Sequence, residues 1–568
     1  MEAQRTYIIV GFAIVTYLLF LAWQEDYNRP AINPAPQTQT ETVPVDVPDT
    51  LNAEDGAIPQ ESDVLPQTPV VQNTPSVASS ASLIFVETDV LRIAIDPTGG
   101  DVVSGKLLNY PLVQENPNIP VHILKNENGR IYTAMSGLIG EGMPDSASPR
   151  ATYSFDQTEY SLADGQDEIV IPLRWTNDQG TVIEKRFTIK RGSYLIDVDY
   201  AFTNQTDSAL NATFFGQIKR DRVVETINAG GGIGIQAYLG SAYSTTEQRY
   251  ERYDFDDMDD ANLSVSTQGG WVAFLQHYFL TAWVPGQEQT NQISTVTPNN
   301  LAIIRVMTPT NRVEPGQSIV TGGKLYLGPK IQDDLQEIAD GLDLTVDYGF
   351  LWWIGQPLFW LLQWFHSLLG NWGLAIIMVT FAIKLMLYPL SAAQYRSFAK
   401  MRHIQPKVNA LKDRYGEDRQ KMSQAMMELY KKEKVNPLGG CFPLLVQMPV
   451  FIALYWVLLE SVELRHAEFY LWINDLSAMD PLYILPLLMG ASMWLMQKLQ
   501  PMAATMDPMQ QKIMQFMPVI MTVFFLFFPA GLVLYWLVNN LLSIAQQLYV
   551  TQKVEKELAN RPSNKSPK

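Results

Sequence analysis

One basic side chain lies where a cation is expensive. Lys384 falls within the apolar run TFAIKLMLYPL (Thr380–Leu390). A charged group inside a bilayer costs about 2.5–3.5 kcal/mol on insertion scales, and such groups are commonly functional and face a cavity or a polar partner. Snorkelling is the alternative, because Leu390 lies only six residues further on, about 9 Å along a helix. Three apolar residues continue the predicted helix past Lys384, which favours a functional cation over a snorkelling one.

Polar residues in the apolar runs indicate what Lys384 could contact. Thr380 and Tyr388, four residues before and after it, share its face of a helix. The other runs hold neutral polar groups but no acidic residue at mid-depth, since Glu460 lies at the end of its run. Such a cation needs water, lipid phosphate or an anionic ligand, and a hydrated groove open to the cytoplasm would supply water and admit a ligand. The neutral polar groups are Gln447, Ser492, Thr522, Tyr535, Asn539, Asn540 and Ser543.

The sequence lacks the usual signatures of enzymes. It has no G-x-x-x-x-G-K-[ST] nucleotide loop, no H-E-x-x-H zinc motif and no serine elbow with partners. Five His and the single Cys441 offer no plausible metal cluster and no intramolecular disulfide. The cluster AGGGIGI (Ala229–Ile235) lacks the context of a phosphate loop and predicts a loop or a strand bulge. We therefore expect no catalytic residues, no metal and no cofactor.

Charge divides the 568 residues into two parts. Residues 7–345 carry 20 Lys and Arg against 43 Asp and Glu, a net charge of −23, and the remainder carries +6. The first part is typical of a soluble body, and the overall net charge of −17 argues against DNA as a ligand. From about Gly349 the chain alternates apolar runs with basic segments, which is typical of a membrane protein.

The first part predicts an anchor, a tether and a β domain. Residues 1–25 contain the apolar run Tyr7–Trp23 and no signal-peptide cleavage site, which favours an N-terminal transmembrane anchor. Residues 26–80, rich in Pro, Gln and Thr, predict a disordered linker. Residues 81–345 alternate with period two between frequent turns such as NDQG (Asn177–Gly180). This pattern predicts a large antiparallel β-sandwich, held by its core alone because no disulfide is available.

The second part predicts a helical membrane region. Residues 346–370 are aromatic but contain Gln356, Gln363 and His366, which favours an interfacial amphipathic helix over a spanning one. Residues 371–551 predict a five-helix core whose last two spans form a tight hairpin, and the anchor brings the total to six transmembrane helices. The core spans are approximately Trp372–Leu390, Leu438–Leu459, Leu482–Gln497, Ile513–Phe528 and Leu532–Val550.

Basic residues predict the orientation of these spans. The segment Ser391–Pro437 has 11 Lys and Arg against five acidic residues, and the tail at residues 552–568 has five against two, so both are expected in the cytoplasm. The loop Glu460–Pro481 has one Arg against five acidic residues and is expected outside. Six spans then place both termini in the cytoplasm and the β domain outside the membrane.

Residues 392–436 predict a cytoplasmic helical hairpin. An apolar seam recurs at heptad spacing in two segments, and RYGED (Arg414–Asp418) separates them. A solvated basic loop would explain the charge but not the seam, so we favour a hairpin that docks partners. The seam residues are Met401, Ile404, Val408, Leu411, Met422, Met426 and Leu429. The docking candidates are Arg396, Lys400, Arg402, Lys407, Arg414, Arg419, Lys431, Lys432 and Lys434.

Several stretches of the second half are distinctive, above all KVNPLGGCFPLLVQMP, together with GNWGLAIIMVTFAIKLMLYPL, DPMQQKIMQFMPVIMTVFF and PAGLVLYWLVNNLLSIAQQ. They resemble the YidC/Oxa/Alb family of membrane protein insertases. The preceding anchor and large external domain resemble the Gram-negative form, whose periplasmic β domain is similar to sugar-mutarotase folds. Such a fold does not imply sugar chemistry.

The resemblance implies a non-enzymatic insertase that helps nascent membrane proteins enter and fold in the bacterial inner membrane, alone or with the Sec translocon. In the family a hydrophilic groove, open to cytoplasm and lipid, contains a cation that is usually arginine. Lys384 stands at that position, so the charge is kept but the planar fork of donors is lost. Besides Lys384, Thr380 and Tyr388, the groove candidates are Gln447, Tyr535 and Asn539. The hairpin and basic tail are implied to receive ribosomes and the signal-recognition-particle receptor.

Two functions of other classes remain open. A solute or lipid transporter would use Lys384 as an anion site and would show saturable small-molecule flux. An assembly scaffold would depend on its β domain and little on Lys384.

Overall fold

The computed structural model describes residues 82–223, 237–415, 418–433, 442–500 and 508–559. The predicted N-terminal anchor and linker, the glycine cluster Ala229–Ile235, the docking candidate Lys434 and the last nine residues of the tail lie outside these ranges.

Two large β-sheets form the first part of the described chain. One sheet has the strand order β14-β17-β18-β11-β5-β4-β3-β2-β1-β7, with β19 also paired to β11, and the other has the order β13-β12-β15-β16-β20-β10-β9-β8-β6. The strands of the first sheet are β1 (Ile84–Glu87), β2 (Leu91–Asp96), β3 (Asp101–Val113), β4 (Asn116–Glu127), β5 (Arg130–Ile139), β7 (Glu159–Ser161), β11 (Leu210–Asp221), β14 (Ser264–Gln268), β17 (Thr290–Val296), β18 (Leu301–Met307) and β19 (Asn311–Val313). Those of the second are β6 (Ser154–Phe155), β8 (Glu168–Thr176), β9 (Val182–Lys190), β10 (Leu195–Thr203), β12 (Gly240–Ser244), β13 (Glu251–Tyr253), β15 (Trp271–Leu275), β16 (Phe279–Pro285) and β20 (Ser318–Pro329).

The segments whose residue types alternate with period two form the predicted β-strands. Strands β8 and β9 pair antiparallel across the NDQG turn, where Asn177 N donates to Thr181 O and Gly180 takes a φ of 85°. Strand β10 alternates half-buried and buried residues along its whole length. Among the described strands one pair, β1 with β7, is parallel and departs from the antiparallel pairing that the sequence predicts.

Two buried basic residues of the sandwich find their hydrogen-bond partners within it. Arg150 forms ion pairs with Asp101 at 2.6 Å and Asp145 at 2.8 Å. The ammonium of Lys185, fully buried, donates to the carbonyl oxygens of Gly99, Gly100 and Ser136 at 2.8–3.2 Å. Burying a charge is costly unless pairing or hydrogen bonds compensate it; Arg150 has both, and Lys185 has three carbonyl acceptors.

Helices dominate the second part. The short helices α1 (Phe255–Asp260) and α2 (Gln332–Ile338) belong to the β domain. The others are α3 (Trp352–Leu369), α4 (Trp372–Met386), α5 (Tyr388–Tyr415), α6 (Arg419–Lys432), α7 (Phe442–Glu460), α8 (Ile484–Leu499), α9 (Pro508–Phe525) and α10 (Ala530–Ala559). Short 3₁₀ turns lie at Pro298–Asn300, Leu342–Thr345, Gly349–Leu351 and Val462–Leu464. Helix α3 exposes Trp353, Trp360 and Trp364 and buries Phe359 and Leu362.

Among the described residues no single helix is both long enough and apolar enough to cross a bilayer. The bent pair of α4 and α5, which meet at an angle of 68°, passes that test by length and composition. Shorter apolar helices run over Val446–Glu460, Ile484–Leu499 and Lys512–Phe525.

The break between α4 and α5 corrects the expectation that the Lys384 helix continues. Helix α4 ends at Met386, so Lys384 lies in its last turn. Pro389, in the first turn of α5, has no backbone N–H to donate to the carbonyl of Leu385 four residues earlier, and its ring clashes with that carbonyl, so α4 cannot continue through it. Helix α5 consequently begins at Tyr388, four residues before the predicted start of the hairpin at residue 392.

The two predicted hairpins fare differently. The seam of the first is confirmed, because Ile404, Val408 and Met426 are buried together between α5 and α6, with the other four seam residues packed around them. The prediction that α9 and α10 form a tight hairpin is wrong, because the two helices pack mainly on other helices. Helix α9 packs on α8, where Gly490 leaves room for Thr522, and α10 packs on α8, α4 and α5.

A buried joint connects the β domain to α7. Lys330 Nζ lies 3.6 Å from Glu460 Oε2, with side-chain exposures of only 1% and 2%. His277 Nε2 is 2.8 Å from the carbonyl oxygen of Leu459. Burial, and then the charge of Lys330, lower the pKa of His277 to about 4, so the neutral ring donates its Nε2–H to that carbonyl. The end of α7 is thus held by an ion pair and a hydrogen bond from the sandwich.

We expect Lys330→Met to destabilise the protein by about 3–5 kcal/mol, because it leaves the Glu460 carboxylate buried without its cation. The double variant Lys330→Met/Glu460→Met should recover most of that loss, since apolar residues often replace buried ion pairs at little cost. Thermal unfolding of the detergent-solubilised chain measures both. Lys324→Met, at an exposed position of β20, is the control. If the single and double variants were destabilised equally, Lys330 and Glu460 would not form the ion pair described here.

Candidate functional site

Lys384 is turned toward the interior of the helical bundle. Its ammonium Nζ donates to Ser543 Oγ on α10 at 2.8 Å. No carboxylate in the described part of the chain pairs with it. Its place in the last turn of α4 also puts the cation near the negative end of that helix dipole. A snorkelling lysine would point to solvent, whereas this one contacts a side chain 159 positions away in sequence.

Ser543 belongs to a row of polar contacts along α10. Its hydroxyl donates to the backbone carbonyl of Asn539 at 2.6 Å. The side-chain Oδ1 of Asn539 accepts a hydrogen bond of 2.7 Å from Gln447 Nε2 on α7. Lys384, Ser543, Asn539 and Gln447, which we call the polar row, therefore connect α4, α10 and α7.

The remaining groove candidates lie differently. Tyr535 stands one turn before Asn539 on α10, is 1% exposed and stacks on Phe451 of α7 with ring centroids 6.2 Å apart. Thr380 is also 1% exposed, and its hydroxyl donates to Ile376 O of its own helix at 2.6 Å, so it does not join the row. Tyr388 begins the next helix and is 40% exposed.

Ser543 was not among the groove candidates, although the sequence contains a signal for it. Tyr535, Asn539 and Ser543 recur at intervals of four, which places them on one face of a helix. A second pair, Asn540 Nδ2 donating to Ser492 Oγ at 3.0 Å, joins α10 to α8. Helix α10 is therefore the element that gathers polar contacts from its neighbours.

The basic residues of the α5–α6 hairpin divide into engaged and exposed groups. Arg402 Nη2 donates to Leu499 O at the end of α8 at 2.6 Å, and Lys407 Nζ forms a 2.6 Å ion pair with Glu433 across the hairpin. Lys400 is half-buried. The exposed members are Arg396, Arg414, Lys431 and Lys432. Arg419 begins α6, and only its backbone is described.

These features define a class of protein: a β-sandwich domain joined to an apolar helical bundle that encloses a cation on a polar row. Comparison with known families agrees with both parts. The family model described as the YidC periplasmic domain matches residues 83–361, and the 60Kd inner membrane protein model matches residues 364–557.

Curated relatives match almost the whole chain. The membrane protein insertase YidC of Aeromonas hydrophila is 49% identical over 560 residues, covering 98% of this chain and 99% of its own. That of Pseudomonas entomophila is 50% identical over 558 residues, with the same coverage. A solved structure described as an active YidC insertase with the first transmembrane domain resolved covers 83% of this chain and 93% of its own, at 20% identity and a TM-score of 0.39. The chain belongs to the YidC family of membrane protein insertases, in the form with a periplasmic β domain.

We expect Lys384 and Ser543 to be energetically coupled. Ser543→Ala removes an acceptor from a cation that stays in the bundle, and hydrogen bonds to charged groups contribute about 1.5–3 kcal/mol. In a Lys384→Met background, Ser543→Ala should lower the free energy of unfolding far less. A double-mutant cycle on thermal unfolding in detergent measures the coupling. Ser367→Ala, which removes an exposed hydroxyl bonded to its own helix, is the control, and additive effects of the two substitutions would contradict the contact.

Proposed function

We propose that this chain inserts nascent membrane proteins into the bacterial inner membrane through a hydrophilic groove that contains the Lys384 cation. Membership of the YidC insertase family supports the activity. The groove is proposed because the Lys384 ammonium points inward. It donates to Ser543, which belongs to the polar row that reaches Gln447. A neutral hydroxyl is a weak partner for a cation, so an arriving carboxylate would be a better one.

The cation acts on the polar part of a substrate. A short hydrophilic segment with Asp or Glu enters from the cytoplasm and finds Lys384 partway across, which shortens the apolar distance that it must cross. The apolar helix of the substrate then leaves sideways into lipid, and each Leu or Ile contributes about 0.3–0.6 kcal/mol to insertion. This step requires no nucleotide. Lysine supplies a point charge rather than the flat fork of arginine, so attraction replaces a bidentate grip.

The proposed topology has six spans, with both termini in the cytoplasm and the β domain in the periplasm. The charge bias of the loops supports this orientation. The first span and the linker, at residues 1–25 and 26–80, tether the β domain (residues 81–345). Residues 346–370 lie in the interface, and residues 371–551 form the core.

The α5–α6 hairpin is the proposed docking element for ribosomes and the signal-recognition-particle receptor, together with the basic tail at residues 552–568. The exposed Arg396, Arg414, Lys431 and Lys432 are better contacts than Arg402 and Lys407, whose charges already bind other groups. The Sec translocon is the proposed partner for larger substrates, and membrane lipids surround the core.

We expect Lys384→Ala to slow insertion of an acidic-tailed, single-span substrate by about tenfold or more, the loss of one charge-assisted contact, while Lys384→Arg stays active. Protease protection of the substrate in liposomes containing the purified full chain measures this. Lys498→Ala is the control, because it removes a lysine that lies over Trp494 outside the polar row. A substrate with a neutral tail should be affected little.

Native rates for Lys384→Ala with the acidic substrate would contradict the groove mechanism. Saturable small-molecule flux that depends on Lys384 would instead support a transporter.

A further inference from the structure

The loop at residues 461–483, which we call the outer loop, has an inverted polarity. It joins α7 to α8 and contains four acidic residues. Asp480 is only 1% exposed. Its Oδ1 accepts hydrogen bonds from Trp472 Nε1 and Leu482 N, and its Oδ2 accepts one from Leu485 N at 2.7 Å. A carboxylate normally faces water, so its burial here shows that this loop turns its charge inward.

The other acidic residues of the outer loop are also directed inward or toward the β domain. The Asp475 side chain is 18% exposed and accepts from Ser477 N and Oγ at 2.8 and 2.7 Å. Glu463 is half-buried. Glu468 is exposed, but its Oε1 lies 3.5 Å from Gln114 Nε2 at the tip of the β3–β4 hairpin.

The side chains that the outer loop exposes most are apolar or aromatic. Leu471 is 88% exposed and its neighbour Tyr470 is 54% exposed. Leu482 and Tyr483, just before α8, are 57% and 47% exposed. The indole of Trp472, next to Leu471, and the backbone N–H of Leu482 donate to the same oxygen of Asp480, so one carboxylate ties both apolar segments to the loop.

The backbone holds these side chains outward at a cost. In the described part of the chain, six non-glycine residues have φ in the left-handed region, and the three outside this loop are all Asn, which tolerates it. The three in the outer loop are His466, Leu471 and Tyr483, with φ of 56–65°. Such a conformation costs about 1–3 kcal/mol per residue and persists only where the surroundings enforce it.

The surroundings of the outer loop are firmly packed. The ring of Phe469 lies against Gly373 of α4, where any side chain would collide with it. Ala530 N and Gly531 N, at the start of α10, donate to Ala478 O and Leu476 O at 2.7 and 2.9 Å. The exposed Leu471 is therefore presented by a fixed scaffold.

We propose that the outer loop inserts its apolar tips, Tyr470–Leu471 and Leu482–Tyr483, into the headgroup–acyl boundary of the outer leaflet. The inference rests on the topology proposed above, which places the junction of α7 and α8 at the periplasmic surface of the inner membrane. Lipid suits the surface chemistry, because Tyr and Trp prefer that boundary and the carboxylates are turned away from it. The patch also continues along α8, where Leu487 and Leu488 are 59% and 47% exposed. The loop would fix the depth of the outer ends of the helices whose inner ends carry the polar row.

Site-directed fluorescence on the full chain tests this proposal. In a Cys441→Ser background, Leu471→Cys or Tyr470→Cys is labelled with the environment-sensitive dye NBD, and the protein is reconstituted in phosphatidylcholine vesicles. Compared with a label at an exposed position of the β domain, we expect blue-shifted emission and stronger quenching by lipids that carry a nitroxide near the headgroup. Iodide added to the water should quench the label at 471 or 470 less. Val320, an apolar residue of β20 that is 61% exposed, is the matched control and should give the opposite result.

A label at Phe516, which is 62% exposed on α9, separates the two possible failures. Quenching by lipid at 516 but not at 471 overturns the outer-loop inference and leaves the topology intact. No lipid quenching at either position overturns the proposed spans. A label at 471 that is protected from iodide but not quenched by lipid is covered by protein, either by this chain or by a second copy of it, and this result also overturns the proposal.

Discussion

An ammonium group taken out of bulk water must find hydrogen-bond acceptors, and the helical bundle is arranged around that constraint. Lys384 on α4 donates to Ser543 on α10 at 2.8 Å. The serine and Asn539 belong to one face of α10, and Asn539 accepts from Gln447 on α7. Three helices separated widely in sequence thus meet at polar contacts inside an otherwise apolar bundle. Because the acceptor of the cation is neutral, the charge stays available to a stronger partner.

The opposite end of the bundle is organised by the β domain. The Lys330–Glu460 ion pair and the His277–Leu459 hydrogen bond hold the end of α7 against the sandwich. Gln447 lies near the other end of the same helix, which runs over Phe442–Glu460, so the helix that contributes to the polar row is fixed at its far end. The sandwich is thereby part of the framework that positions the row, besides being a separate domain with its own core.

Local patterns predict much of this fold, while long-range contacts do not follow from them. Alternation of residue types predicts β8, β9 and β10, and heptad spacing predicts the seam between α5 and α6. Charge in an apolar run singles out Lys384, but the end of α4 at Met386 depends on Pro389, whose effect the apolar continuation hides. The contact with Ser543 and the pair Lys330–Glu460 join residues more than 100 positions apart, and no local pattern encodes such distances. The inward carboxylates of the outer loop are likewise visible only once the chain has folded.

Charge reversal tests most directly whether Lys384 acts on the charge of the substrate. Two single-span substrates that differ only in an Asp or a Lys in the N-terminal tail would be inserted into liposomes by the native chain and by Lys384→Glu. We expect the native chain to prefer the Asp tail and Lys384→Glu to prefer the Lys tail, because opposite charges attract, and do so more strongly inside the bundle than in bulk water. The same preference for both proteins would contradict this expectation and would show that the cation does not contact the translocated segment.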